Sequence, residues 1–197
     1  MSLWSKNTSN WPSKVWKCDW TDLYREAKEP ISEKSSTPRG NIVSIHCFVG
    51  ASHTGSQSNR RSQTGILIYV NKAPIIWISK SQNTVETSTF GSELVELRIV
   101  VEKIQAVCHK IGSSATPIDG PADVFCDNEA VTRIARIPHT TLSKKHNAVS
   151  YHKIWDSVAM QMVWITWENT LKNLAGILTK TKTHDDRKRL LELIMYW

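Results

Sequence analysis

Apolar positions along the chain change period several times, and each change marks an element. Apolar runs at Ile42 to Val49, Thr64 to Val70 and Ala73 to Ser79 predict three strands. Asn71-Lys72 suits a tight hairpin connection between the second and third, so the three read as an antiparallel meander. A helical period then takes over: Leu94, Leu97, Val101, Ile104, Cys108 and Ile111 recur three and four apart, which lines them along one face of a long helix. Asp123 to Cys126 is a short strand leading into a helix through Ala130, Val131, Ile134 and Ala135, ended by Pro138. Ser143 to Val158 is a further helix and Gln161 to Trp167 a fifth strand. Asn173 can cap a helix over Leu174 to Thr179, and Asp185 to Met195 forms a last helix carrying Leu190, Leu191 and Ile194. Three strands in a row, then strands joined by helical crossovers, imply an α/β domain with a mixed sheet.

Residues 1–40 follow no such period. Trp4, Trp11, Trp16 and Trp20 sit among Ser, Asn, Pro and Lys, and Pro30, Ser32, Ser35, Ser36, Pro38 and Gly40 make a linker. The expected organisation is a partly ordered lead-in over 1–40, an α/β domain over 41–182 and a C-terminal helix over 183–197.

Composition narrows the class. The 197 residues are 40% hydrophobic and 22% charged, which suits one globular domain better than a disordered chain. Apolar runs such as Ile66 to Val70 fall far short of the roughly 20 residues a membrane span needs, and no apolar leader occurs near the start. Cys18, Cys47, Cys108 and Cys126 form no C-x-x-C pair, which argues against a zinc ribbon or a disulfide scaffold and for an intracellular protein, cytoplasmic or nuclear and not secreted. The net charge of +7 turns the expected partner toward a polyanion such as nucleic acid.

Several motifs in fixed order then carry a resemblance. Ser62-Gln63-Thr64-Gly65, Trp77 to Gln82, Glu93, Cys126-Asp127-Asn128, Lys145-His146, Tyr151-His152 and Asn173 to Lys180 together resemble the ribonuclease H region of copia-type retrotransposon Pol polyproteins, over about residues 41–182. The segment Asp19 to Ile31 also resembles a stretch that precedes this region in some elements. The resemblance implies a ribonuclease H-like fold, a mixed five-stranded sheet flanked by helices. It also implies hydrolysis of the RNA strand of RNA–DNA hybrids with two Mg²⁺ ions, and an upstream reverse transcriptase domain in intact relatives that this sequence lacks. On that reading the chain is a fragment of a larger polyprotein.

The chemistry so implied needs convergent carboxylates, because two cations held close together require oxygen ligands while they activate water and stabilise a leaving oxygen. The family pattern puts carboxylates at Glu93 and Asp127, and there they are. It puts two more where this chain has Gly50, in HCFVGASH, and Gly176, in NLAGILTK. Catalytic and metal-binding roles therefore fall to Glu93 and Asp127 alone, Mg²⁺ binding is in doubt, and an inactive domain is expected. A non-catalytic nucleic-acid-binding module and a residually active nuclease are the alternatives. Arg60, Arg61, Lys80, Lys144, Lys145, His146 and Lys180 are the candidates for contacting nucleic-acid phosphates.

Plainer roles compete for the same residues. Glu93 in a first helical turn would favourably meet the helix dipole, and Asp127 would serve as an N-cap. Trp77, Trp164 and Trp167 are expected to pack against the sheet more than to stack on bases. Lys182, Arg187, Lys188 and Arg189 read as the wet side of the last helix.

Overall fold

The computed structural model describes residues 37–52, 61–83, 85, 88–137 and 147–195. The lead-in over 1–36 lies outside them, as do Arg60, Lys144, Lys145 and His146. Ten elements follow in the expected order. They are β1 (Ile45–Ser52), β2 (Gln63–Val70), β3 (Ala73–Ser81), α1 (Thr89–Ser113), β4 (Ala122–Cys126), α2 (Glu129–Arg136), α3 (Ala148–Ala159), β5 (Val163–Trp167), α4 (Gly176–Thr179) and α5 (His184–Met195).

One mixed sheet holds all five strands in the order β3-β2-β1-β4-β5. β1, β2 and β3 run antiparallel, while β4 and β5 lie parallel to β1 and to each other. The hairpin turns where expected: Asn71 takes φ 53°, which Asn tolerates, and its Oδ1 accepts from Ser44 N at 2.9 Å. β1 begins three residues later than the apolar run predicts, because residues 42–44 are drawn to the end of α1 by Val43 N donating to Pro117 O at 3.0 Å.

Strand alternation gives the sheet two buried faces. Cys47, Val49, Ile66, Ile68, Val124 and Cys126 meet Leu94, Leu97, Val101 and Ile104 of α1, with Ile154 and Val158 of α3. Phe48, Leu67, Tyr69 and Phe125 point the other way, into a smaller core with Leu174, Leu190 and Ile194. Phe48 stacks on Phe125 with ring centroids 5.1 Å apart. Each face removes large apolar side chains from water at roughly 1.5–3 kcal/mol apiece, so the sheet is held between α1 and α3 on one side and α4 and α5 on the other.

β3 is an edge strand whose outward positions stay wet: Trp77 is 67% exposed, and at the far end of the sheet Trp167 is 45% exposed. The expected packing of these two tryptophans is therefore not realised among the described residues. Among the described residues, no helix is long and apolar enough to cross a membrane.

Candidate nucleic-acid-processing site

The ends of β1 and β4, the second turn of α1 and the loop into α4 converge at one edge of the sheet. α1 brings Glu93. Its N-cap is Ser88, whose Oγ accepts from Gly91 N at 3.2 Å, so the helix begins at Thr89 and Glu93 lies beyond the first turn. The dipole role is thereby weakened. A polar lock holds this helix start against the meander: Ser62 Oγ and Ser92 Oγ are 2.7 Å apart, and Gln82 Nε2 donates to Ser92 O at 2.8 Å and Thr64 Oγ1 at 3.1 Å. The SQTG and SKSQ motifs thus position Glu93.

β4 brings Asp127, one residue past its last strand position. The capping role belongs instead to Asn128, whose Oδ1 accepts from Ala130 N at 2.9 Å and Val131 N at 3.1 Å. Asp127 is left facing Glu93 across a cleft that Asn128, Glu129, Arg133, Thr170 and Lys180 also line. Ligand atoms of Glu93, Cys126 and Asp127 all lie within 4.8 Å of one another, an arrangement able to hold one cation.

The electrostatics of the cleft follow from burial. Glu93 is 7% exposed, and burial first, then the negative charge of Asp127, raises its pKa from 4.5 to about 7; a hydrogen bond from Asn128 and the Lys180 ammonium oppose the rise. The Cys126 thiol, 4.0 Å from Glu93 Oε2, is pushed well up by burial and by Glu93 and stays protonated.

A third acid escapes sequence reasoning. Glu96 sits one helical turn after Glu93, is 1% exposed, and its Oε1 accepts from Gly65 N at 2.8 Å. Burial raises its pKa well above the carboxylate range. Its signal in the sequence is a Glu three residues after Glu93, on the face that Leu97 and Val100 mark as buried.

Gly50 follows the last β1 residue paired with β4, and in the β1–β2 ladder it is paired with Gly65. A Cβ built on Gly50 would lie 3.5 Å from Asn173 Nδ2, 3.8 Å from Ala175 Cβ and 3.9 Å from Asp127 Oδ1. The position therefore adjoins the Asp127 carboxylate and has room for a Cβ. Gly176 opens α4, beside Ala175, and a Cβ there would meet Lys182 Cε and Nζ at 3.4 Å. The turn before it is fixed by Asn173, which is 1% exposed; its Nδ2 donates to Val49 O at 2.7 Å and its Oδ1 accepts from Ala175 N at 3.0 Å. Asn173 was expected as a local helix cap; its Oδ1 makes that kind of contact with Ala175 N, while its Nδ2 reaches 124 residues back to β1. Across the pair, a Cβ on Gly65 would come within 2.5 Å of Thr179 Cγ2 and 2.9 Å of Ala175 O, so glycine there lets α4 lie on the sheet.

Of the basic candidates, Lys180 lines the cleft and Arg61 lines an adjoining groove, whereas Lys80 lines neither. Arg133 was not anticipated and stands in the cleft. Lys182 precedes α5 instead of forming its wet face.

No family model matches the chain. Two curated relatives do, the retrovirus-related Pol polyproteins from transposons RE1 and RE2 of Arabidopsis thaliana. Each is 28% identical over 142 residues, covering 72% of this chain and 10% of the relative, so the chain spans about a tenth of the length of these proteins. Among solved structures, the N-terminal ribonuclease H domain of rv2228c from Mycobacterium tuberculosis, fused to maltose-binding protein, superposes with a TM-score of 0.52 at 11% identity, covering 76% of this chain and 97% of that one. That likeness concerns the fold. The chain thus has a ribonuclease H-like fold, and its sequence resembles the ribonuclease H region of copia-type retrotransposon Pol polyproteins.

Proposed function

We propose that this domain is a degenerate ribonuclease H module that keeps the scaffold and a nucleic-acid surface but has lost hydrolysis of the RNA strand in RNA–DNA hybrids. The observation that carries the proposal is Gly50: a strand position that adjoins Asp127 and has room for a Cβ has no side chain. With Gly176 also bare, the cleft is left with Glu93 and Asp127 at its floor and Glu129, the first residue of α2, on its wall.

The donor set does not fit a pair of Mg²⁺ ions. Mg²⁺ demands oxygen ligands in near-ideal octahedral geometry, and the third ligand atom here is a sulfur. That sulfur is a thiol that burial keeps protonated, and burial raises the pKa of Glu93 from 4.5 to about 7. The Lys180 ammonium near Glu93 further offsets the negative charge that would draw a cation in.

What the residues support instead is binding. Lys180 and Arg133 share the cleft with Glu93, Asp127 and Glu129, two cations placed where a phosphodiester lying across the cleft could meet them. The partner on this reading is an RNA–DNA hybrid or another nucleic acid, and the upstream reverse transcriptase domain of intact relatives is part of the same proposal.

The test is a cleavage assay on a labelled hybrid with Mg²⁺ or Mn²⁺, run beside a binding assay. Binding without cleavage is expected. Cleavage that disappears in Asp127→Asn would establish a residually active nuclease and overturn the proposal, and absence of binding would leave only a folded relic.

A further inference from the structure

A separate group of polar side chains lies at the opposite end of β1 from the carboxylate cleft. His46 and Asp123 are directly paired in the parallel β1–β4 ladder, so their side chains stand next to each other on one face, with Asp123 Oδ2 3.0 Å from His46 Nδ1. Ser44, two residues before His46, shares that face, and its Oγ lies 2.9 Å from His46 Nε2. A carboxylate beside Nδ1 favours the neutral imidazole that carries its proton there, which leaves Nε2 to accept from the serine hydroxyl. The three groups thus follow the order nucleophile, base, carboxylate, at separations that proton transfer requires.

Three further observations bear on what this order can do. Asp123 Oδ1 is buried and accepts no hydrogen bond among the described residues, so nothing on that oxygen offsets the charge the carboxylate presents to the imidazole. An imidazolium, formed when His46 takes a proton, is the cation such a carboxylate stabilises. Asn71 stands at the hairpin turn with its Oδ1 accepting from Ser44 N at 2.9 Å and lying 3.4 Å from Ser44 Oγ. The NH₂ of the same amide is a donor held close to the hydroxyl, the kind of group that stabilises an oxyanion forming there. His46 and Asp123 keep 17% and 15% of their side-chain surface exposed and Ser44 is half-buried, so all three touch solvent.

We infer that Ser44, His46 and Asp123 form an acyl-transfer site for small activated carboxylic esters, independent of the Glu93–Asp127 cleft and of its reading. Ser44 Oγ attacks the ester carbonyl carbon while its proton passes to His46 Nε2, and the carbonyl electron pair moves onto oxygen, where Asn71 Nδ2 donates to it. As the pair returns, the bond to the leaving oxygen breaks and His46 gives that oxygen the proton, so the alcohol departs and an acyl-serine remains. Water then adds to the acyl carbon with His46 taking its proton, and the carboxylic acid leaves as that proton returns to Ser44 Oγ.

Two measurements on the full-length chain test the site: peptide mass spectrometry after treatment with a fluorophosphonate probe, which reports which hydroxyl is phosphonylated, and hydrolysis of p-nitrophenyl acetate. The native protein is expected to be phosphonylated at Ser44 and to hydrolyse the ester. Ser44→Ala should lose both, and Asp123→Asn should slow both by at least about a hundredfold, since an amide at that position no longer stabilises the imidazolium. Ser113→Ala, at an exposed hydroxyl on α1, should behave as the native protein does. Circular dichroism verifies that the variants fold. Ser44→Ala leaves the imidazole–carboxylate pair in place, so it decides the matter if Asp123→Asn does not fold. Absence of phosphonylation at Ser44 in the native protein would overturn the inference, as would ester hydrolysis that survives Ser44→Ala or an equal rate in folded Asp123→Asn.

Discussion

Gly50 and Asp127 stand side by side at the ends of the parallel strands β1 and β4, with the missing Cβ of the one 3.9 Å from Oδ1 of the other. A carboxylate at position 50 would therefore enter a site that already holds Glu93 and Asp127. In the absence of metal, Gly50→Asp adds a like charge beside two acids and should lower the unfolding midpoint. Mg²⁺ should reverse that loss by binding the folded state, while leaving the native protein's midpoint unchanged. Thermal scans with and without Mg²⁺ measure both; an equal metal response in the two proteins would contradict the expectation.

Gly65 and Gly50 pair across β1 and β2 but are expected to answer oppositely to alanine. At Gly65 the new methyl would run into Thr179 and the Ala175 carbonyl, so Gly65→Ala should cost about 1–3 kcal/mol of stability as α4 is pushed off the sheet. Gly50→Ala meets only ordinary contacts and should be neutral or slightly stabilising. Urea unfolding of the two variants makes the comparison.

Glu93 sets a pH dependence. Its pKa rises from 4.5 to about 7 on folding, so the folded state holds the proton more tightly than the unfolded chain. The stability this contributes is complete below pH 4.5 and is lost as the pH climbs through about 7, in total about 3 kcal/mol. Glu93→Gln should accordingly flatten the fall in stability between pH 5 and pH 8 and be the more stable protein at pH 8. Lys180→Met, which removes a charge that favours ionised Glu93, should move the fall to higher pH. Unfolding midpoints across that pH range report both shifts.

Glu96 is a buried acid, its pKa raised by burial, that holds the Gly65 amide. Glu96→Gln keeps an acceptor for Gly65 N and should be tolerated, whereas Glu96→Leu strands that amide and should cost about 1–3 kcal/mol. Equal stability of the two variants would show that the hydrogen bond contributes nothing.

The strands and long helices were legible because their periods are strong: the heptad-like face from Leu94 to Ile111 lies against the sheet as its spacing requires. Local boundaries were less so, since residues 42–44 are bound by the loop after α1, which no periodicity in β1 reveals. Glu93 and Asp127 could be picked out only through the family's motifs, for a lone Glu in a helix and a lone Asp after a strand have ordinary roles. The structure removes those roles by placing Ser88 and Asn128 at the caps. Glu96 stayed hidden, and so did the reach of Asn173 to β1, because Gly65 N lies 31 residues from Glu96 and Val49 O lies 124 from Asn173. What gives each its place is α4 lying across β1 and β2, a tertiary contact with no local pattern.

The central claim is that loss of side chains at Gly50 and Gly176, and not loss of the scaffold, silences the domain. The most direct measurement is Mg²⁺-dependent cleavage of the RNA strand of a hybrid by the native protein, by each of Gly50→Asp and Gly176→Asp alone, and by the two combined. A new carboxylate at 176 meets the Lys182 ammonium first, at the flexible end of that side chain, so it gains full effect only when a metal drawn in by position 50 competes for it. The native protein should be inactive, each single variant nearly so, and the double variant active, since groups that act as one unit are strongly non-additive. Cleavage by the native protein that is abolished by Asp127→Asn, or a folded, hybrid-binding double variant that remains inert, would contradict the account.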